Sequence, residues 1–128
     1  MARLTLRLDL GGGRAIGPGK IRLLEAIRDG GSISEAGRML GMSYRRAWLL
    51  IDDLNRCFTE PVVSTQLGGA HGGGAAVTRF GTQLVAEYRA IEAEAHAVTA
   101  PRLALLENAC RSAAIEQAAP AKRPGKAL

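Results

Sequence analysis

Residues 31–55 read GSISEAGRMLGMSYRRAWLLIDDLN, and two helix starts lie eleven residues apart within them. Ser32 with Glu35 forms an S-x-x-E pattern, in which the cap hydroxyl and the third-position carboxylate each satisfy a backbone N–H of the other. Ile33, Ala36, Met39 and Leu40 then predict the inward side of a short helix. Gly41-Met42 breaks it, and Ser43 is placed to cap a second helix running to about Phe58. Ala47, Leu50, Ile51, Leu54 and Phe58 recur at three- and four-residue steps, which gives this helix its buried side. Two helices joined so briefly predict a helix-turn-helix.

Outward from this pair, the alternation Leu4, Leu6, Leu8, Leu10 predicts a half-buried strand that Gly11-Gly12-Gly13 breaks. Pro18 suits the first position of a helix, because its missing N–H needs no acceptor there, and Ile21, Leu23, Leu24 and Ile27 continue a helical stripe to Gly30-Gly31. Beyond Glu60-Pro61 the pattern turns extended. Val62–Leu67 and Ala75–Thr78 flank a nearly all-glycine stretch, a hairpin of the kind called a wing when it follows a helix-turn-helix. A long helical run from Arg79–Gly81 to about Thr99 carries Phe80, Leu84, Tyr88, Ile91, Ala95 and Val98 as one stripe. It is longer than so small a domain needs, which predicts that part of it meets a second copy of the chain.

Pro101 predicts a break, with an accessory helix over 101–118 and a flexible basic tail over 119–128; residues 1–100 form the main domain. The fold class is therefore mainly α with a small β wing, a winged helix-turn-helix ending in a long dimerisation helix.

The chain has 128 residues and a formal charge of +5, enough for one domain with a modest core and a balance that favours polyanionic partners. Cys57 and Cys110 have no C-x-x-C spacing, so neither a zinc site nor a disulfide framework is implied, and burial is the favoured reading of Cys57. No apolar run has the length or flanks of a membrane span or export signal, and a cytoplasmic setting is expected.

The chemistry concentrates at Ser43-Tyr44-Arg45-Arg46-Ala47-Trp48. With Ala47, Leu50, Ile51 and Leu54 inward, Tyr44, Arg45, Trp48, Asp52 and Arg56 face solvent and Arg46 lies on the flank. A cationic and aromatic helix start, where the dipole also favours anions, suits the DNA major groove: arginine bonds guanine in two places, and rings pack on sugars or thymine methyls. The plainer alternative is a core Trp48 with Arg45 and Arg46 as ordinary solvated side chains. Arg38, Arg56, Ser32 and Ser34 are candidate phosphate contacts that would fix register without reading bases, although Ser32 is already explained as a cap.

In the wing, Thr65, Gly69, His71, Gly72, Gly73 and Arg79 are candidate backbone contacts, set against the simpler reading of a hairpin turn. Neither glycine stretch is a P-loop. Lys-Ser or Lys-Thr is missing after Gly74, and Ile21 stands where Gly17-Pro18-Gly19-Lys20 would need a magnesium-binding hydroxyl. His71 and His96 are the chain's two histidines and do not make a metal site with any local carboxylate; Asp52 and Asp53 point about 100° apart on a helix. No enzyme activity, metal or cofactor is expected.

Residues 31–36 and 41–48, with the glycine-rich hairpin ending Ala76-Val77-Thr78-Arg79-Phe80-Gly81, resemble the N-terminal DNA-binding domain of ModE-type molybdate-responsive transcription regulators over roughly residues 4 to 95. The resemblance implies a homodimer that binds a two-fold-related operator in double-stranded DNA. It puts Ser43, Tyr44, Arg45 and Trp48 on the recognition helix; Thr65, the glycines through Gly74 and Arg79 on or next to the wing; and Phe80, Leu84, Tyr88 and Ile91 on the helix that joins two copies. After Pro101 the chain is too short for the family's molybdate-binding domains, so a stand-alone regulator is expected, without bound molybdate or other oxyanion. The rival expectation is a winged-helix protein-interaction module that uses its long helix to hold another protein.

Overall fold

A computed structural model describes residues 2–66 and 74–111. Two strands, β1 (Leu8–Gly11) and β2 (Arg14–Ile16), form an antiparallel hairpin, with Leu8 opposite Ile16 and Asp9 opposite Ala15. The glycine run expected to end a strand therefore makes a turn between two. Gly11, Gly12 and Gly13 take φ of 90°, 61° and 78°, which residues with a β-carbon rarely adopt. The regular strand begins at Leu8 and not at Leu4, although side chains 2–8 still alternate between half-buried and exposed.

The first helix, α1 (Pro18–Gly30), starts with Pro18 in its first turn and ends at Gly31, whose N–H returns to the Ile27 carbonyl at 2.8 Å. It buries Ile21, Leu23, Leu24, Ala26 and Ile27 and packs against every later helix and the wing, so it is the centre of the core. Helix α2 (Ile33–Met39) is capped by Ser32, whose Oγ accepts from the Glu35 N–H at 3.0 Å. The Glu35 carboxylate accepts from Arg38 at 3.1 Å. Ile33 and Ala36 are buried as expected, but Met39 is 61% exposed, because the short helix ends with that residue pointing past the core.

Helix α3 (Tyr44–Cys57) begins at Ser43, whose Oγ accepts from the Arg46 N–H at 3.1 Å. Ala47, Ile51 and Leu54 are buried, Leu50 and Phe58 are half-buried, and the Phe58 ring meets Phe80 edge-on at 5.2 Å. Cys57 is only partly buried, and Cys110 is exposed. Strands β3 (Val63–Gln66) and β4 (Gly74–Val77) pair antiparallel from Val63 opposite Val77 to Gln66 opposite Gly74, forming the base of the expected wing.

Helix α4 (Arg79–Ala109) is capped by Thr78, which accepts from the Gly81 N–H at 2.9 Å and donates to the Pro61 carbonyl at 2.7 Å. A β-carbon on Gly81 would lie 2.3 Å from the Val62 carbonyl oxygen, so glycine lets the helix start against the wing's base. The break expected at Pro101 is not there: α4 passes through it to Ala109. Proline removes one backbone bond, but Ala97 and Pro101 are both exposed, so water can take the freed carbonyl, while Thr99 donates to the Ala95 carbonyl at 2.7 Å. An accessory helix separate from α4 is thus not formed over 101–109, and residues 112–128 lie outside the described residues.

Two ties hold α4 to the domain. Arg89 bonds Glu25 of α1 through Nη2 at 2.8 Å and Nε at 3.1 Å, and Glu92 through Nη1 at 2.7 Å; these bonds raise its pKa further above the usual arginine range. Tyr88 is 1% exposed and donates to the Leu6 carbonyl at 2.7 Å.

Candidate nucleic-acid interface

The inward pull of Ala47, Ile51 and Leu54 turns the opposite side of α3 to solvent. Tyr44, Arg45, Arg46 and Trp48 are all exposed, Trp48 the least of them to reach solvent at 36%, with most of its surface still covered. Tyr44 and Trp48 meet edge-on at 6.2 Å, a pair that lines one flank of the helix start.

Charge is distributed unevenly among the candidate cations. Arg38 pairs with Glu35 at 3.1 Å, and Arg56 with Asp52 at 2.9 Å, so each carries a carboxylate beside it. The Arg45 and Arg46 side chains have no hydrogen-bond or ion-pair partner among the described residues. Their unneutralised charge sits in the first turn of α3, where the helix's own N–H groups add positive potential. Arg46 also borders an open cleft of about 450 Å³ between the β1–β2 hairpin and the start of α1, where Lys20 donates to the Ala15 carbonyl at 2.9 Å and pairs with Asp53.

Ser32 and Ser43 spend their oxygens as caps, whereas Ser34 is exposed without a partner among the described residues. Thr65 lies exposed on β3, and Arg79 is exposed at the first position of α4. Gly69, His71, Gly72 and Gly73 fall outside the described residues.

Sequence reasoning missed the residue that fixes the wing against α3. The Asn55 amide oxygen accepts from the Val62 N–H at 2.8 Å and the Val63 N–H at 3.3 Å, and its nitrogen donates to the Val63 carbonyl at 3.3 Å. A second tie runs from the Ala75 N–H of β4 to the Gly31 carbonyl at 3.2 Å, at the turn leading into α2. The helix pair and the base of the wing are thus bonded together from both sides.

The long helix presents its stripe differently from expectation. Tyr88 is consumed inside the protomer, and Phe80 and Leu84 pack against the core, leaving only Ile91 of the four expected pairing residues exposed. Val98, Leu105 and Leu106 extend the exposed apolar side at 78%, 71% and 67%.

Sequence comparison gives the context for this arrangement. Over 94 residues, 73% of this chain, it is 44% identical to the molybdenum transport protein ModE of Azotobacter vinelandii. It is 41% identical over 88 residues to the molybdenum-pterin-binding protein MopA of Rhodobacter capsulatus, and 37% identical over 87 residues to the DNA-binding transcriptional dual regulator ModE of Escherichia coli K12, covering 69% and 68% of this chain. This chain is a ModE homologue. It spans about a third of the length of these relatives, 33–34% of each. No family profile matches it. The ModE resemblance read from residues 31–48 and 76–81 thus agrees with the relatives, and the mainly α winged fold with a long last helix agrees with the structure. Among the described residues no helix is long and apolar enough to cross a membrane.

Proposed function

We propose that this chain is a sequence-specific, double-stranded-DNA-binding transcriptional regulator that acts as a homodimer. The observation that carries the reading is the outward face of α3, where Arg45 and Arg46 stand exposed and unpaired at the helix start beside the Tyr44–Trp48 pair. Such a helix start supplies charge for phosphates and a two-pronged donor for guanine in the major groove. Arg38, Ser34 and Arg79 supply backbone contacts around it, with Arg56 at the margin, and Thr65 with the wing follows the neighbouring backbone or minor groove.

Ile91, Val98 and Leu105 recur every seven residues on α4, and all three are exposed. A seven-residue apolar repeat buries itself by pairing helix against helix. Pairing through α4 sets two copies of α3 against successive major grooves, for which half-sites lie about 34–36 Å apart or at a multiple of that distance. Val98 and Leu105 join Ile91 in this seam; Tyr88, already buried in the protomer, supports the helix from within. No oxyanion enters this mechanism.

Fluorescence anisotropy of the whole chain tests the reading, using duplexes selected from a randomised pool and scrambled controls over a range of salt, with sedimentation to report mass. A dimer should bind the selected duplexes more tightly, with affinity that falls steeply as salt rises. Failure to bind any duplex in dilute salt would overturn the reading.

A further inference from the structure

Leu49 is 58% exposed and follows Arg45 by one helical turn, so an apolar side chain stands next to the cationic start of α3, with Asp52, paired to Arg56, on its other side. Trp48, its neighbour, is 36% exposed and braced edge-on by Tyr44. No side chain among the described residues needs Leu49 outside: the core is filled by Ala47, Ile51 and Leu54 on the other side. Arg45 and Arg46 beside it favour a polyanion over an apolar protein surface as the occupant.

In the major groove the apolar group that base edges offer is the C5-methyl of thymine. We infer that Leu49 reads thymine by covering that methyl group. Leu49 and Arg45 are four residues apart, roughly 6 Å along the helix axis. At about 3.4 Å per base step, the thymine lies within about two base pairs of the pair met by Arg45. The inference rests on the DNA-binding reading above and adds a base preference to it.

The test compares duplexes enriched from a randomised pool with the same duplexes remade with uracil in place of thymine, which deletes the methyl and leaves every hydrogen-bonding edge. The expected result is about fourfold weaker binding per covered methyl, equivalent to the ~0.8 kcal/mol of one buried carbon. Leu49→Ala should bring the thymine-to-uracil ratio close to one while keeping the salt dependence of binding. Equal affinity of the unsubstituted chain for thymine and uracil duplexes would overturn this inference and leave the regulator reading standing. Lack of salt-sensitive binding to any duplex would overturn both. If Leu49→Ala kept the thymine preference and instead broke self-association, Leu49 would belong to a protein contact and the inference would fail.

Discussion

The Tyr88 hydroxyl donates to the Leu6 carbonyl at 2.7 Å across 82 residues of sequence, joining the first third of α4 to the segment before β1. Burial, with a smaller contribution from Glu92, holds the Tyr88 phenol above its usual pKa of 10.0. The folded chain therefore keeps this proton after the unfolded chain has lost it. Stability contributed by Tyr88 is fully present below pH 10 and declines as pH rises through the folded value. Tyr88→Phe should remove that alkaline decline and lower stability by about 1–3 kcal/mol at neutral pH, since the carbonyl loses its partner. Urea unfolding of both proteins at pH 7 and above pH 10 measures both effects.

Asn55→Ala deletes three bonds to Val62 and Val63 and strands two N–H groups at the entry to the wing. A loss of about 1–3 kcal/mol is expected for each buried group left without a partner. Asn55→Asp keeps both acceptor bonds and should lose less. Urea midpoints ranked wild type, Asn55→Asp, Asn55→Ala support the clamp; an unchanged midpoint in the alanine variant would remove it.

Arg45 and Arg38 should separate on the same two duplexes. Arg45→Ala is expected to lose about 1–3 kcal/mol of discrimination between selected and scrambled DNA if the guanidinium bonds a base. Arg38→Ala should weaken both by similar factors and reduce the salt slope by about 1, as removal of one phosphate contact does. Anisotropy titrations decide between the roles: equal weakening on both duplexes by Arg45→Ala would make it a backbone contact too.

Val98→Asp places a charge on the exposed seven-residue repeat and should shift sedimentation from dimer to monomer. An isolated helical end of this length is marginal in water, so dissociation should also reduce far-ultraviolet helicity. A dimer unaffected by the substitution would place the seam elsewhere.

Titration with molybdate over physiological concentrations is expected to leave duplex affinity unchanged. Saturable binding that alters affinity, followed by calorimetry and anisotropy, would add an oxyanion to the mechanism.

Local signals that act through the backbone were legible in the sequence. Pro18 at the start of α1, Ser32 and Ser43 as caps, and the Val63–Gln66 and Gly74–Val77 strands all satisfy their neighbours within a few residues. Signals that depend on distant partners were not. Tyr88 lies on an apolar stripe that looks the same whether its cover is a second copy or, as here, the chain's own first residues. Asn55 shows in sequence only as a polar residue near a helix end, since its amide acts on a strand folded back from seven and eight residues away. The Gly11–Gly13 run permits both a stop and a turn, and the pairing of Leu8 with Ile16 decides for the turn.

Asn55 ties the entry of β3 to α3, and the Gly31 carbonyl ties β4 to the turn before α2, so the helix pair and the base of the wing are joined from both sides. In the proposed dimer, force applied at the wing would be delivered straight to the helix pair, so each half would behave as a rigid calliper jaw. Under that proposal, accommodation to operators of unequal span would fall on the shaft connecting the jaws, where Pro101 has already removed one rung of the hydrogen-bond ladder.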